Sequence, residues 1–382
     1  MINRERMLNH VLELIQIDSH SREERDVAMK LKADCEALGG TVYIDHAGEK
    51  VGGNTGNVIV HFKGTNPNAP PFFLSSHMDT VVPGKGVKPI REGNIIRTDG
   101  TTVLGGDDKT GCSIIVECIR TLQEQNIPYS DLQIVFTICE EVGLLGAKNC
   151  EIDRVSAKFG LVLDSDDPGH LITKAPSSNR MRFTIYGLEA HAGVCPEKGI
   201  SAIKIASEAI AEMKLGRIDH ETTSNIGTIN GGVAVNVVPN RVDLYCEARS
   251  HNDDKLETQT SHMVDCLERA VSHHEVTNDG HTVKARLEKH IERDYHRMDL
   301  ADDSMIVRLV KQAAHNLGHD CEPLPTGGGC DANIFNRKGI ECANLGTGMH
   351  NIHTVKEYMS IDDFYQSADI VFEVLKLHGQ NN

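Results

Sequence analysis

The chain has 382 residues, 39% apolar and 25% charged, a mix that folds and that at this length makes two compact units or one unit with an insertion. Lys plus Arg total 39 against 55 for Asp plus Glu, a net charge of −16; with 4% aromatics and no Trp, neither phosphate backbones nor stacked bases are suited partners, so no nucleic acid is expected. No apolar run approaches the ~18–20 residues that span a bilayer, and Met1-Ile2-Asn3-Arg4-Glu5-Arg6 has mixed charge with no apolar segment behind it, so neither a membrane span nor a secretory leader is expected.

Met7, Leu8, Val11, Leu12, Leu14 and Ile15 recur at helical spacing and predict a first helix over residues 4–17. A second is expected over about 22–38, stopped by Gly39-Gly40. Four short apolar runs follow, at 57–62, 72–75, 132–138 and 160–163, each nearly continuous rather than alternating, as in strands covered on both faces. A helix over about 110–123 lies between two of them, and strands interleaved with helices predict an α/β fold with a mostly parallel sheet. After Pro176 the pattern changes. Residues 181–186 alternate, 201–213 read as an amphipathic helix with Ser201 as N-cap, and 222–228 and 241–248 read as half-buried strands. A polar helix over about 253–273 and a charged, strand-like segment to 293 complete this part. The α/β character returns with helices at 303–317 and 361–377 around a last strand at 340–345. The expected organisation is one α/β domain, 1–175 plus 292–382, interrupted by a smaller α+β insertion at 176–291. Eleven cysteines, none spaced Cys-x-x-Cys and several inside apolar stretches (Cys112, Cys118, Cys139), read as reduced buried thiols of a cytoplasmic protein.

The ionisable residues fall at strand ends. His77-Met78-Asp79 follows Phe72-Phe73-Leu74, Glu140-Glu141 follows Ile134 to Cys139, and Asp164 follows Leu161-Val162-Leu163. Gly105-Gly106-Asp107-Asp108-Lys109-Thr110-Gly111 forms a loop before a helix. Open α/β sheets bind ligands beyond the carboxyl ends of their strands, so these residues are expected to converge there. A lone strand-end histidine is more often structural, and a lone acidic pair more often a solvated turn. Three strand-end sites and an acidic loop in one domain together favour a divalent metal, zinc above all, with a shared carboxylate able to bridge two ions. Residues i and i+2 share a side of a strand, so Asp79 is placed to accept a hydrogen bond from the far nitrogen of His77. Adjacent glutamates point apart when extended, so one of Glu140 and Glu141 can bind metal while the other serves as general base. No His-Glu-x-x-His, Gly-x-Ser-x-Gly, Walker or dinucleotide-binding motif is present.

These motifs resemble those of a zinc metallopeptidase family that contains peptidase T, the glutamate carboxypeptidases, acetylornithine deacetylase and succinyl-diaminopimelate desuccinylase. The resemblance runs the length of the chain. Ser76-His77-Met78-Asp79-Thr80, Gly106-Asp107-Asp108-Lys109-Thr110-Gly111 and Cys139-Glu140-Glu141-Val142-Gly143 carry it, and the Asp-Asp-Lys and Glu-Glu-Val-Gly forms are similar to the peptidase T-like branch. The resemblance implies two zinc ions per subunit, with cobalt or manganese as substitutes. It assigns His77 and Asp164 to one ion, Glu141 and His353 to the other, and Asp107 between them, since the family's Asp-x-Lys register selects Asp107 over Asp108. It further implies a cis peptide after Asp107, Glu140 as general base and Asp79 as the orienting residue behind His77. The family's His followed four residues later by Glu selects His353 with Glu357 over His350.

In the insertion, Ala190-His191-Ala192-Gly193 with Pro196 and Gly199 resembles the lid-domain motif, which implies that His191 stabilises an oxyanion and, in dimeric members, comes from the partner subunit. Asn236 and Arg249 resemble substrate-contact positions, Arg249 suited to a carboxylate. Thr326-Gly327-Gly328-Gly329-Cys330-Asp331 resembles the glycine-rich substrate loop around Gly328, with Cys330 where the family often has Ser or Thr. The expected function is that of a metal-dependent exopeptidase acting on short peptides, tripeptide aminopeptidase-like. The insertion can either form a homodimer across a two-fold axis or pack its apolar helix face inward, and the sequence leaves both open. The alternatives are an N-acyl amino acid amidohydrolase on the same fold and a non-catalytic metal- or peptide-binding protein. Against the last stands the presence of Glu140 and of every ligand.

Overall fold

The computed structural model describes residues 1–380. The chain divides into two compact units: Met1–Lys174 with Met298–Thr326 and the chain from Cys330 onward, and Ala175–Arg297 with Gly327–Gly329.

The first unit is built on a mixed sheet whose centre is parallel. Leu132–Thr137, Phe72–His77, Phe159–Ser165 and Glu341–Gly346 lie side by side in that order, all pointing one way. Every residue of the first two is buried, which is why their sequences run apolar without alternation. The mostly parallel sheet expected is present at the centre, and its flanks are antiparallel. Val58–Phe62 pairs antiparallel with Leu132–Thr137, Thr41–Ile44 pairs antiparallel with Val58–Phe62, and His170–Ala175 runs antiparallel to Glu341–Gly346. The run at 57–62 lacks alternation because both its faces are covered, and coverage does not encode strand direction.

The helix Arg4–Ile15 begins at Asn3, whose side chain accepts the Arg6 N–H at 3.1 Å, and it buries Met7, Leu8, Val11, Leu14 and Ile15. The helix Gly106–Glu124 is buried almost throughout, and its backbone is non-helical at Asp107 and Asp108, so the regular turn begins near the expected residue 110. The helix Ile361–Gln380 closes the unit. The parallel strands end at Thr137, His77, Ser165 and Gly346, and their carboxyl ends all open on one edge of the sheet.

The second unit is a five-stranded antiparallel sheet ordered Gly216–Arg217, Thr222–Gly231, Arg241–Ser250, Ser177–Tyr186, Arg286–Tyr295. The helices Ala202–Glu212 and Asp253–Ser272 pack on it around Met181, Phe183, Ile185, Leu244, Ile205 and Met263. Ser201 caps the first of these, accepting the Lys204 N–H at 3.2 Å. The strand Arg286–Tyr295 stays hydrogen-bonded to Ser177–Tyr186 through Tyr295, past the expected boundary at 291. All eleven cysteines are unpaired, ten of them buried. Among the described residues no helix is long and apolar enough to cross a membrane.

Candidate active site

His77 is the last residue of its strand and 2% exposed. Its Nε2 faces two carboxylates, Asp107 Oδ1 at 2.9 Å and Asp164 Oδ1 at 3.6 Å. Its Nδ1 lies 3.0 Å from the backbone oxygen of Asp79 and 3.4 Å from Asp79 Oδ1. A proton on Nδ1 is therefore held by residue 79, leaving the Nε2 lone pair directed at the acidic cluster. The expected Asp79–His77 contact is thus made first by the carbonyl. The Asp79 carboxylate is occupied elsewhere, accepting hydrogen bonds from Ser21 Oγ (2.6 Å) and from the backbone N–H of Glu140 (2.9 Å) and Glu141 (3.2 Å). Cys139 has a left-handed backbone, φ 52°, which turns the chain so that those two N–H groups point at Asp79.

Asp107 divides its two oxygens between the imidazoles: Oδ1 faces His77, and Oδ2 lies 3.2 Å from His353 Nε2. His353 Nε2 is also 2.9 Å from Glu141 Oε2. The other oxygen of Glu141, Oε1, is buried with no hydrogen-bond partner. The peptide between Asp107 and Asp108 is cis. The donor atoms of His77, Asp107 and Glu141 all lie within 4.8 Å of one another, and so do those of His77, Asp108 and Asp164. Asp108 is the weaker candidate of the two aspartates because its carboxylate is already taken by Ser76 Oγ (2.6 Å), His77 N (3.2 Å) and Gly111 N (3.1 Å). His350 is not part of the cluster; its Nε2 meets Asp363 at 3.1 Å and its ring stacks on Tyr358.

The electrostatics describe carboxylates in excess. Burial and the neighbouring Asp164 raise Glu140 well above the usual carboxylate range. Burial and Asp107 push Glu141 up to about 7. Asp164 is raised by burial despite the nearby imidazole. Asp107 alone falls: burial would raise it, but the hydrogen bonds to His353 and His77 win. The same bonds, to Asp107 and Glu141, raise His353 to about 10. A set of imidazole nitrogens and carboxylate oxygens, richer in anions than its own cations can balance and with an orphaned Glu141 oxygen, fits divalent metal cations.

Several contributors were not legible as site residues. Glu357, expected only as a register marker, accepts the N–H groups of Leu104 (2.7 Å), Gly105 (2.9 Å) and Asp107 (3.0 Å) and so moulds the loop that carries Asp107. Glu24, fully buried, accepts the Cys139 N–H at 2.9 Å. Lys109, also buried, donates to the carbonyls of Leu14 and Ile17 at 3.3 Å each, and burial lowers it to about 8. Asp331 is buried with Oδ2 on Thr137 Oγ1 (2.5 Å) and Oδ1 unpartnered, and burial raises it to about 7. These residues share no local sequence signal, since Glu24, Lys109 and Glu357 stand among polar neighbours and their partners are distant in the chain.

The second unit holds the remaining expected residues. His191 is exposed, its Nδ1 accepting the Gly193 N–H at 3.2 Å, and a bridge to Val237 sets it beside Asn236, whose carbonyl accepts the Ala192 N–H at 3.0 Å. Arg249 is half-buried, paired through Nη2 with Glu247 at 2.8 Å, while its Nε is buried without a partner. A Cβ added at Gly327 or Gly328 would meet nothing within 4 Å, whereas at Gly329 it would strike the Tyr295 ring at 2.4 Å.

An imidazole–carboxylate cluster at the carboxyl ends of parallel strands is the hallmark of a metallohydrolase centre, and the comparisons agree. The chain belongs to peptidase family M20/M25/M40, whose model matches residues 73–377. Within that family it falls in the peptidase T-like branch: it is similar to the aminopeptidase PepT of Bacillus cereus, with TM-score 0.88 and 37% identity, covering 99% of this chain and 100% of that one. A tripeptidase of Staphylococcus aureus superposes with TM-score 0.92 at 38% identity, covering 100% of both chains. The uncharacterized protein YqjE of Bacillus subtilis is 41% identical over 377 residues, 98% of this chain and 99% of that protein.

Proposed function

We propose that the protein is a two-zinc aminopeptidase acting on short peptides, tripeptides foremost, in the cytoplasm. The observation that supports this most is the division of Asp107 between His77 and His353, one oxygen to each at 2.9 and 3.2 Å. In this reading His77 and Asp164 hold one ion, Glu141 and His353 the other, and Asp107 serves both. Such a pair of ions, when bound, lowers the pKa of a shared water and polarises the scissile carbonyl. Glu140, buried beside the cluster, takes the proton from the attacking water and returns it to the leaving amine. Asp79 keeps Glu140 and Glu141 in register through their backbone N–H groups. His191 is read as the donor to the developing oxyanion, and Asn236, Arg249 and Gly328 as contacts to the peptide.

The second unit is read as a lid that pairs with a second copy of the chain. Its strand Thr222–Gly231 supports this. Among the described residues no strand pairs with its outer edge beyond Ser224, and residues 222–240 carry no charged side chain to block edge pairing. Light scattering that returns the mass of a single chain would remove this part of the reading.

A panel of tripeptides, dipeptides and N-acyl amino acids, assayed with and without chelator, tests the activity. Chelator-sensitive release of the N-terminal residue from tripeptides is expected. Preferential cleavage of N-acyl amino acids, or full activity in chelator, would reject the proposal.

A further inference from the structure

We infer that Asn344 is a positioning residue that aims the Asp164 carboxylate into the metal cluster. This rests on the two-ion reading above. The strands Phe159–Ser165 and Glu341–Gly346 pair in regular parallel register up to Asn344 opposite Val162, and then the register shifts before Gly346 meets Ser165. Asp164 lies in that interruption, where the ladder between main chains is broken. The Asn344 side chain takes its place. Its Oδ1 accepts the Asp164 N–H at 2.8 Å, and its Nδ2 donates to the Asp164 carbonyl at 2.7 Å. One side-chain amide thus grips both polar groups of the ligand's own peptide backbone and fixes the direction in which the carboxylate leaves the chain.

The second Nδ2 hydrogen points at Cys330 Sγ, 3.4 Å away, at the end of the glycine-rich loop. All three of these contacts are consistent with a single amide orientation, oxygen toward the N–H and nitrogen toward the carbonyl and the sulfur. Asn344 is 4% exposed, so none of its partners has easy recourse to bulk water if the amide is lost. With Asp164 so held, Oδ1 comes to 3.6 Å from His77 Nε2. Aspartate at position 344 keeps the shape but cannot donate to the Asp164 carbonyl, and leucine can neither donate nor accept.

The test compares the wild type with Asn344→Asp and Asn344→Leu. Zn2+ affinity is measured by chelator competition, the absorption spectrum is recorded after Co2+ substitution, and the Tm of the ion-free proteins is determined. The expected result is two ions on the wild type, with one of them weakened about 10- to 100-fold in Asn344→Asp and at least as much in Asn344→Leu. The Co2+ spectrum should change as well, beyond anything the ion-free Tm explains. Should the leucine variant fail to fold, the aspartate variant decides. A wild type with two ions and an Asn344→Asp protein of equal affinity and unchanged spectrum would overturn the inference while leaving the two-ion reading intact. A wild type that binds no ions would sink that reading, and this inference with it.

Discussion

Glu357 shows how much of the centre depends on one buried acceptor. Three backbone N–H groups of one loop, those of Leu104, Gly105 and Asp107, donate to its carboxylate. Glu357→Ala strands those donors in a buried place, at a cost of about 2–4 kcal/mol. Urea unfolding of the ion-free protein should show that loss, with Glu357→Gln recovering part of it; an alanine variant as stable as the wild type would show that the loop holds itself. The residues of the buried cluster were readable because each follows an apolar run that ends a strand: His77, Glu140 with Glu141, and Asp164. Glu357 and Asn344 were not, because their partners lie far away in sequence and nothing local marks them. Asn344 left the faintest trace, a single amide within the otherwise apolar Cys342-Ala343-Asn344-Leu345.

At the scale of elements, the site is as precise as the spacing of the strands beneath it. Phe72–His77 and Phe159–Ser165 deliver His77 and Asp164, and they meet with Phe73 opposite Gly160. A Cβ at Gly160 would lie 1.9 Å from the Phe73 carbonyl oxygen, so only glycine lets the two strands come this close. Gly160→Ala forces them apart and should cost about 1–3 kcal/mol or more. A Tm unchanged by that substitution would mean the strands have slack the structure does not show. Three of the four parallel strands were legible from their nearly continuous apolar runs, and Glu341–Gly346 from the shorter apolar stretch around Cys342 to Leu345. The antiparallel flanks were not, since Val58–Phe62 is as thoroughly covered as its parallel neighbour and only hydrogen-bond direction separates them. His170–Ala175 escaped notice altogether, with its apolar stretch only Leu171-Ile172 long before polar residues resume.

For the molecule as a whole, pH separates the ion-free from the ion-loaded protein. Without ions, His353 rises from 6.5 to about 10, so the stability it contributes is complete below pH ~6.5 and is lost as pH climbs through about 10. Glu141 rises from 4.5 to about 7, so the folded state holds its proton longer than the unfolded chain and stability falls between those values. Both shifts have the same sign: the ion-free Tm should decline from pH 5 to pH 8, above which Lys109, lowered to about 8, opposes the trend, and divalent ions should flatten that decline by taking the place of the protons. Thermal unfolding across that range, with and without Zn2+, checks it, and an ion-free Tm that rises with pH would contradict it. The family, the central sheet and the convergence of His77, Asp107, Glu141 and Asp164 were all within reach of the sequence. The course of the second unit's last strand was less so, because Arg286–Tyr295 is charged on its exposed face and its place is set only by pairing with Ser177–Tyr186.

The most direct measurement is the metal content of the wild type, Asp107→Ala and Glu140→Ala by mass spectrometry, taken alongside tripeptide cleavage. Two ions per chain are predicted for the wild type. Glu140→Ala should keep both ions while kcat falls by about 10^2–10^4, and Asp107→Ala should fail to keep two. A wild type that cleaves tripeptides with no bound metal, or an Asp107→Ala protein that still holds two tight ions, would contradict the account.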